Sequence, residues 1–219
     1  MLFGRKKPVD RASLVVAGDR ARSRGRVRKA IVLYRKALDE PAGTMGDATV
    51  HGKLAPLLAR KKLREEALGS FAKAASGQVK AGFVDRAVAL LKQALDHYPD
   101  EAPLWDELVR LQLLRGRRPD AVAALVSGGR RLHRTRHLEV AERLLKRAID
   151  LEPWHPPAVD LLARTLARAG RKREAMELLE AFGLIARGLA LRRARRLAFR
   201  LSPTPRNLWR WIRAAWRGR

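Results

Sequence analysis

The chain has 219 residues, 47% of them hydrophobic but only 5% aromatic, and its 48 Lys and Arg outweigh 22 Asp and Glu to give a formal charge of +26. It has no Cys, which excludes disulfides and Cys-ligated metals and fits a reducing, cytoplasmic setting. No stretch approaches the roughly 18 apolar residues that cross a bilayer, and the opening Met1, Leu2 and Phe3 run at once into Arg5, Lys6 and Lys7, so neither a membrane span nor a secretory signal is expected.

After a basic N-terminal extension, residues 1–10, apolar positions recur at helical spacing. They predict helices over 10–23, 27–39, 47–61, 64–80, 84–97, 101–115, 118–134, 138–150, 156–169 and 172–183. No alternating stretch asks for a strand. Small residues fall in these helices in pairs seven apart: Ala30 and Ala37, Ala67 and Ala74, Ala87 and Ala94, Ala121 and Gly128, Ala141 and Ala148. Ala175 opens a sixth pair, closed by Phe182. A larger apolar or aromatic residue stands three before each second member, at Tyr34, Phe71, Leu91, Leu125, Leu145 and Leu179. Residues four and seven apart share one helical face, and an Ala at the crossing lets two axes approach closely. The second members step along the chain by 37, 20, 34, 20 and 34 residues. A step of 34 is one helical hairpin and a step of 20 is one helix with its turn. The helices over 64–80 and 118–134 should therefore each close one hairpin and open the next.

This pattern resembles the tetratricopeptide repeat. The resemblance is carried by "LVVAGDRARSRGRVRKAIVLYRKALDEP", "LWDELVRLQLLRGRRPDAVAALV" and "AVDLLARTLARAGRKREAMELL", with Pro99 and Pro153 as closing prolines, and it covers residues 11–183. Gly25, Gly82, Gly116 and Gly170 occupy the turn position, whereas Lys62 and Arg136 replace it, and Trp105 alone holds the early aromatic position. The family likeness implies an all-α, right-handed helical-repeat solenoid whose first helices line a concave groove for a protein segment. Carried over position by position, the groove register gives one row of Asp19, Pro56, Ser76, Arg110, Arg130 and Arg164 and a second of Ser23, Arg60, Lys80, Leu114, Arg134 and Arg168. It is basic toward its C-terminal half, so an acidic protein segment is the expected partner, with Arg60, Lys80, Arg110, Arg130, Arg134, Arg164 and Arg168 as its expected contacts.

Residues 184–219 differ in kind. They hold eleven Arg and no acidic residue. The segment 184–201 reads as a basic capping or amphipathic helix, and Ser202, Pro203, Thr204 and Pro205 form a joint before a last amphipathic helix over 206–217. There Leu208, Trp209, Ile212, Ala215 and Trp216 share one face, Arg206, Arg210, Arg213 and Arg217 the other, with Trp211 at the flank. At about 1.5 Å per residue such a helix spans about 18 Å, too short to cross a hydrocarbon core of about 30 Å but suited to lying on an anionic leaflet. Arg206, Trp209, Arg210, Trp211, Ile212, Arg213, Trp216 and Arg217 are thus the expected contacts with an anionic surface, the inner face of the membrane being the first candidate. Nucleic acid is the competing target for the same charge, since Arg neutralises phosphates and Trp stacks on bases. Insertion of the tail into a larger protein assembly is a third.

Catalysis finds little support, and neither cofactor nor small-molecule ligand is expected. His133 and His137 are four apart, but Arg134, Thr135 and Arg136 stand between them and set a positive potential against a metal. Ser127, Gly128 and Gly129 lack the strand that a nucleophile elbow requires.

Overall fold

The computed structural model describes residues 10–41 and 46–216, and among these it contains twelve α-helices and no strand. Most of the basic N-terminal extension lies outside the described residues. The chain divides into two compact units, Met1–Tyr98 and Pro99–Arg219. The first contains α1 (Arg11–Ser23), α2 (Val27–Asp39), α3 (Asp47–Arg60), α4 (Arg64–Lys80) and α5 (Val84–His97). The second contains α6 (Ala102–Leu114), α7 (Arg118–His133), α8 (Leu138–Leu151), α9 (Pro156–Arg168), α10 (Lys172–Ile185), α11 (Gly188–Leu201) and α12 (Pro205–Trp216). The architecture is all-α and helical-repeat.

In the first unit each helix packs on its chain neighbours, so α4 serves both α3 and α5. In the second, α7 serves both α6 and α8, the double duty that the 20-residue steps imply. Alternate helices of the second unit also touch, α7 with α9 and α9 with α11. The small residues seven apart are the contact points. Ala30, Ala37, Ala67, Ala74, Ala87, Ala94, Ala121, Ala141, Ala148 and Ala175 are all fully buried, and Tyr34, Phe71, Leu125 and Leu145 fill the space between them. Tyr34 lies against Gly18 and donates its hydroxyl to Asp19 at 2.7 Å, which satisfies the one polar atom of a fully buried ring.

The turns repeat as closely as the helices. At Gly25 the amide donates to Arg22 O at 2.9 Å and the next amide, of Arg26, reaches back to Ala21 O at 2.8 Å. This pair of bonds satisfies the last carbonyls of α1 and needs a left-handed residue, which Gly supplies at φ +70°. The same pair recurs at Gly82, Gly116 and Gly170. It recurs once more at Lys62, which adopts φ +61° in spite of its side chain. Arg136 does not follow suit. Thr135 makes that turn instead, its hydroxyl donating to Leu132 O at 2.7 Å and accepting from the His137 amide at 3.1 Å.

Candidate functional site

The second unit builds a cleft of about 740 Å³ from α7, α9, α10 and α11. Its position follows from two glycines. A Cβ at Gly128 would sit 2.7 Å from two atoms of the Trp105 ring, and one at Gly129 would sit 2.6 Å from Leu145 Cγ. Without side chains there, α7 seats between α6 and α8 and turns Arg130, His133 and Arg134, which share a face at helical spacing, toward α9. Trp105 is fixed in turn by its indole N–H, which donates to Pro99 O at 2.8 Å.

The floor of the cleft is apolar. Leu161 of α9, Leu179 and Phe182 of α10 and Ala194 of α11 are buried residues that face it. Phe182 is held from one side by Trp154, with stacked rings 6.2 Å apart. The rim is basic: Arg130 from α7, Arg134 at the cap that follows it, Arg164 from α9 and Arg193 from α11. The single carboxylate lining it among the described residues is Asp160, which accepts from Arg164 Nε at 2.8 Å and Nη2 at 3.3 Å. Both partners are partly exposed, so this pair contributes little stability by itself.

His133 is tied to α9 by its Nδ1, 3.1 Å from Thr165 Oγ1. The Thr165 hydroxyl already donates to Leu161 O at 2.8 Å, so Nδ1 must carry the proton and Nε2 is bare in the neutral ring. Burial pushes the imidazole below its ordinary value, and Arg168, Arg164 and Arg134 press it in the same direction. His133 is therefore a neutral member of a cationic wall at neutral pH. Arg168 lies just beyond, donating to His133 O from α9. The basic surface continues along α11, where Arg193, Arg196 and Arg200 recur at helical spacing beside Arg164.

Of the expected groove residues, Arg130, Arg134, Arg164 and Arg168 come together in this unit. Arg110, on α6, is held by both carboxylate oxygens of Glu107, at 2.7 and 2.6 Å, as Arg164 is by those of Asp160. Arg60 and Lys80 belong to the first unit, where Lys80 lies beside Asp47, His51 and Lys73. The contribution of α11 was missing from the expected set. Its signal is the helical spacing of Arg193, Arg196 and Arg200 within the segment whose sequence reads as a basic capping or amphipathic helix.

In α12 the face toward α11 holds Asn207, Trp211 and Ala214. Trp211 stacks on Phe199 with centroids 5.7 Å apart, Asn207 Nδ2 donates to Ser202 O at 2.9 Å, and Arg210 pairs with Glu180 at 3.0 Å. The opposite side keeps Trp209 and Trp216 in solvent, 65% and 80% exposed, with Leu208 and Ile212 partly so. Arg206 and Arg213 are exposed as well. Arg217 lies outside the described residues. No helix among the described residues is long and apolar enough to cross a membrane.

Residues 132–196 match the sequence model of the tetratricopeptide repeat, and residues 11–135 match the one described as bacterial transcriptional activator domain. Among solved structures, the Rap conjugation gene regulator of plasmid pLS20 in complex with the Phr* peptide is 17% identical, with a TM-score of 0.42 over 92% of this chain and 61% of that one. This chain thus spans less than two thirds of that regulator. YrrB, described as a TPR protein with an unusual peptide-binding site, is 16% identical with a TM-score of 0.36, covering 93% of this chain and 92% of that one. A putative kinesin light chain of Podosopora anserina is 18% identical with a TM-score of 0.40, covering 92% and 91%. No curated protein matches the sequence.

Proposed function

The chain belongs to the family of the bacterial transcriptional activator domain and continues as tetratricopeptide repeat, and on that footing we propose that it is a non-enzymatic scaffold that captures an acidic segment of a partner protein in the α7–α9–α11 cleft. The observation that carries this reading is the convergence of Arg130, Arg134, Arg164 and Arg193 around an apolar floor with Asp160 as the lining carboxylate. Guanidinium forks bind carboxylates through two parallel hydrogen bonds, and an anion in the cleft relieves the mutual repulsion of the rim. The tail adds an attachment: α12 turns Trp209 and Trp216 outward beside exposed Arg206 and Arg213, a composition suited to the headgroup zone of an anionic membrane, with the scaffold on its cytoplasmic face.

Fluorescence anisotropy with a labelled polyglutamate probe tests the cleft. Reversing Arg130, Arg134, Arg164 and Arg168 to Glu should weaken binding by about 100-fold or more, since each charge-assisted bond contributes about 1.5–3 kcal/mol and its reversal adds repulsion. The helical circular dichroism should be unchanged. A folded fourfold variant with wild-type affinity would remove the cleft from the account. The family description and the Arg193, Arg196 and Arg200 row favour one second reading, a nucleic-acid contact. A single-stranded oligonucleotide that outcompetes the probe at moderate salt, with a steep salt dependence, would favour it.

A further inference from the structure

Charge alone does not account for the shape of the cleft. A solvated basic face needs no interior, yet here the arginines ring a space of about 740 Å³ whose floor is Leu161, Leu179, Phe182 and Ala194 and whose mouth is edged by Pro156 and by Leu189, 67% exposed. That volume lies within the roughly 300–1,000 Å³ of sites that enclose apolar ligand groups. Phe182 is clamped by Trp154 and Leu179 is 1% exposed, so the floor is part of the packed core and is formed before any ligand arrives.

We propose, resting on the reading of the cleft as a carboxylate-binding site, that its ligand is an amphipathic acidic segment: one bulky apolar side chain, aromatic or Leu-like, enters the cavity while flanking Asp or Glu residues engage Arg130, Arg134, Arg164 and Arg193. The apolar anchor supplies affinity and register, and the acidic flanks supply orientation. Specificity then lies in the spacing between anchor and carboxylates, which a uniform acidic run lacks.

The experiment compares short labelled peptides on the full chain by anisotropy at physiological salt: Asp and Glu residues around a central Phe, the same peptide with Ser in place of Phe, and a Phe peptide with Gln in place of every acid. The acidic Phe peptide should bind about tenfold or more tighter than its Ser counterpart, the scale expected for burying one large apolar side chain. It should exceed the Gln peptide by at least as much. Ala190→Phe places a ring in the cavity from α11 and should collapse the preference for Phe over Ser to about twofold or less while leaving acidic peptides bound. Ala190→Val, a smaller intrusion, should act in the same direction if the larger one lowers the melting temperature.

Equal binding of the Phe and Ser peptides would overturn the anchor and leave the basic cleft standing. Persistence of the Phe preference in folded Ala190 variants would place the anchor elsewhere and overturn the proposal. If the Gln peptide binds as well as the acidic one, or none of the three binds, the underlying reading of the cleft falls with it.

Discussion

Replacing Gly129 by leucine is expected to disrupt the second unit, lowering its thermal midpoint by roughly 10 °C or preventing folding outright. A Cβ there already meets Leu145 Cγ at 2.6 Å and Cδ2 at 2.7 Å, closer than carbon atoms pack, and Leu145 is fully buried with nowhere to retreat. Overpacking of a filled core costs about 1–3 kcal/mol for small additions and more for larger ones, and about 1 kcal/mol shifts the midpoint of a chain of this size by about 2–4 °C. The helix-propensity gain of about 1 kcal/mol over glycine does not offset it. Gly69 is the internal control: a Cβ there meets nothing within 4 Å, so Gly69→Ala should raise stability by about 1 kcal/mol. Circular dichroism melts of the two variants decide the matter. A Gly129→Leu protein that melts with the wild type would refute the seating of α7 on α8, and with it the geometry that aims Arg130 and Arg134 at α9.

The second large effect is expected at the tail. Exchanging Trp209 and Trp216 for serine should reduce partition onto anionic vesicles by more than about 100-fold, because inserting each large apolar side chain contributes about 1.5–3 kcal/mol. Both rings point away from α11, so the exchange leaves the Phe199–Trp211 stack and the Arg210–Glu180 pair intact. Wild-type protein should float with vesicles rich in acidic lipid, release as salt is raised, and bind neutral vesicles far more weakly. Equal flotation with neutral and anionic vesicles, or unchanged flotation of the double variant, would contradict a membrane role for α12. Trp211 offers a contrast: Trp211→Ser should loosen the α11–α12 hairpin itself.

The helices were legible because close helix crossings leave a mark that survives in one dimension. Ala67 and Ala74 around Phe71, or Ala141 and Ala148 around Leu145, state both the buried face and its period, and the glycine turns fix the ends. What the residues could not disclose is tertiary. Gly128 was readable as a crossing residue, but the reason Gly129 must also be bare lies in Leu145, sixteen positions on in another helix. Arg110 and Arg164 sit in the expected groove register, and each is paired with a carboxylate about one turn away, Glu107 and Asp160, a pairing that side-chain geometry decides. The same holds for α12, whose wheel places Trp211 at the flank of the apolar face, while packing on Phe199 turns that flank inward and leaves Trp209 and Trp216 outside. The basic row of α11 was visible as charge. Its membership in the cleft required knowing that α9 and α11 lie side by side.

The basic cleft as the docking site is tested most directly by amide chemical-shift mapping of the full chain during titration with an acidic Phe-containing peptide. Saturable shifts should concentrate at Arg130 and His133 on α7 and Arg134 at its cap, Asp160 to Arg168 on α9, and Leu189 to Ala194 on α11, with α1–α5 unmoved. Shifts scattered over the arginine-bearing surfaces of both units, or confined to the first, would contradict a built site in the second.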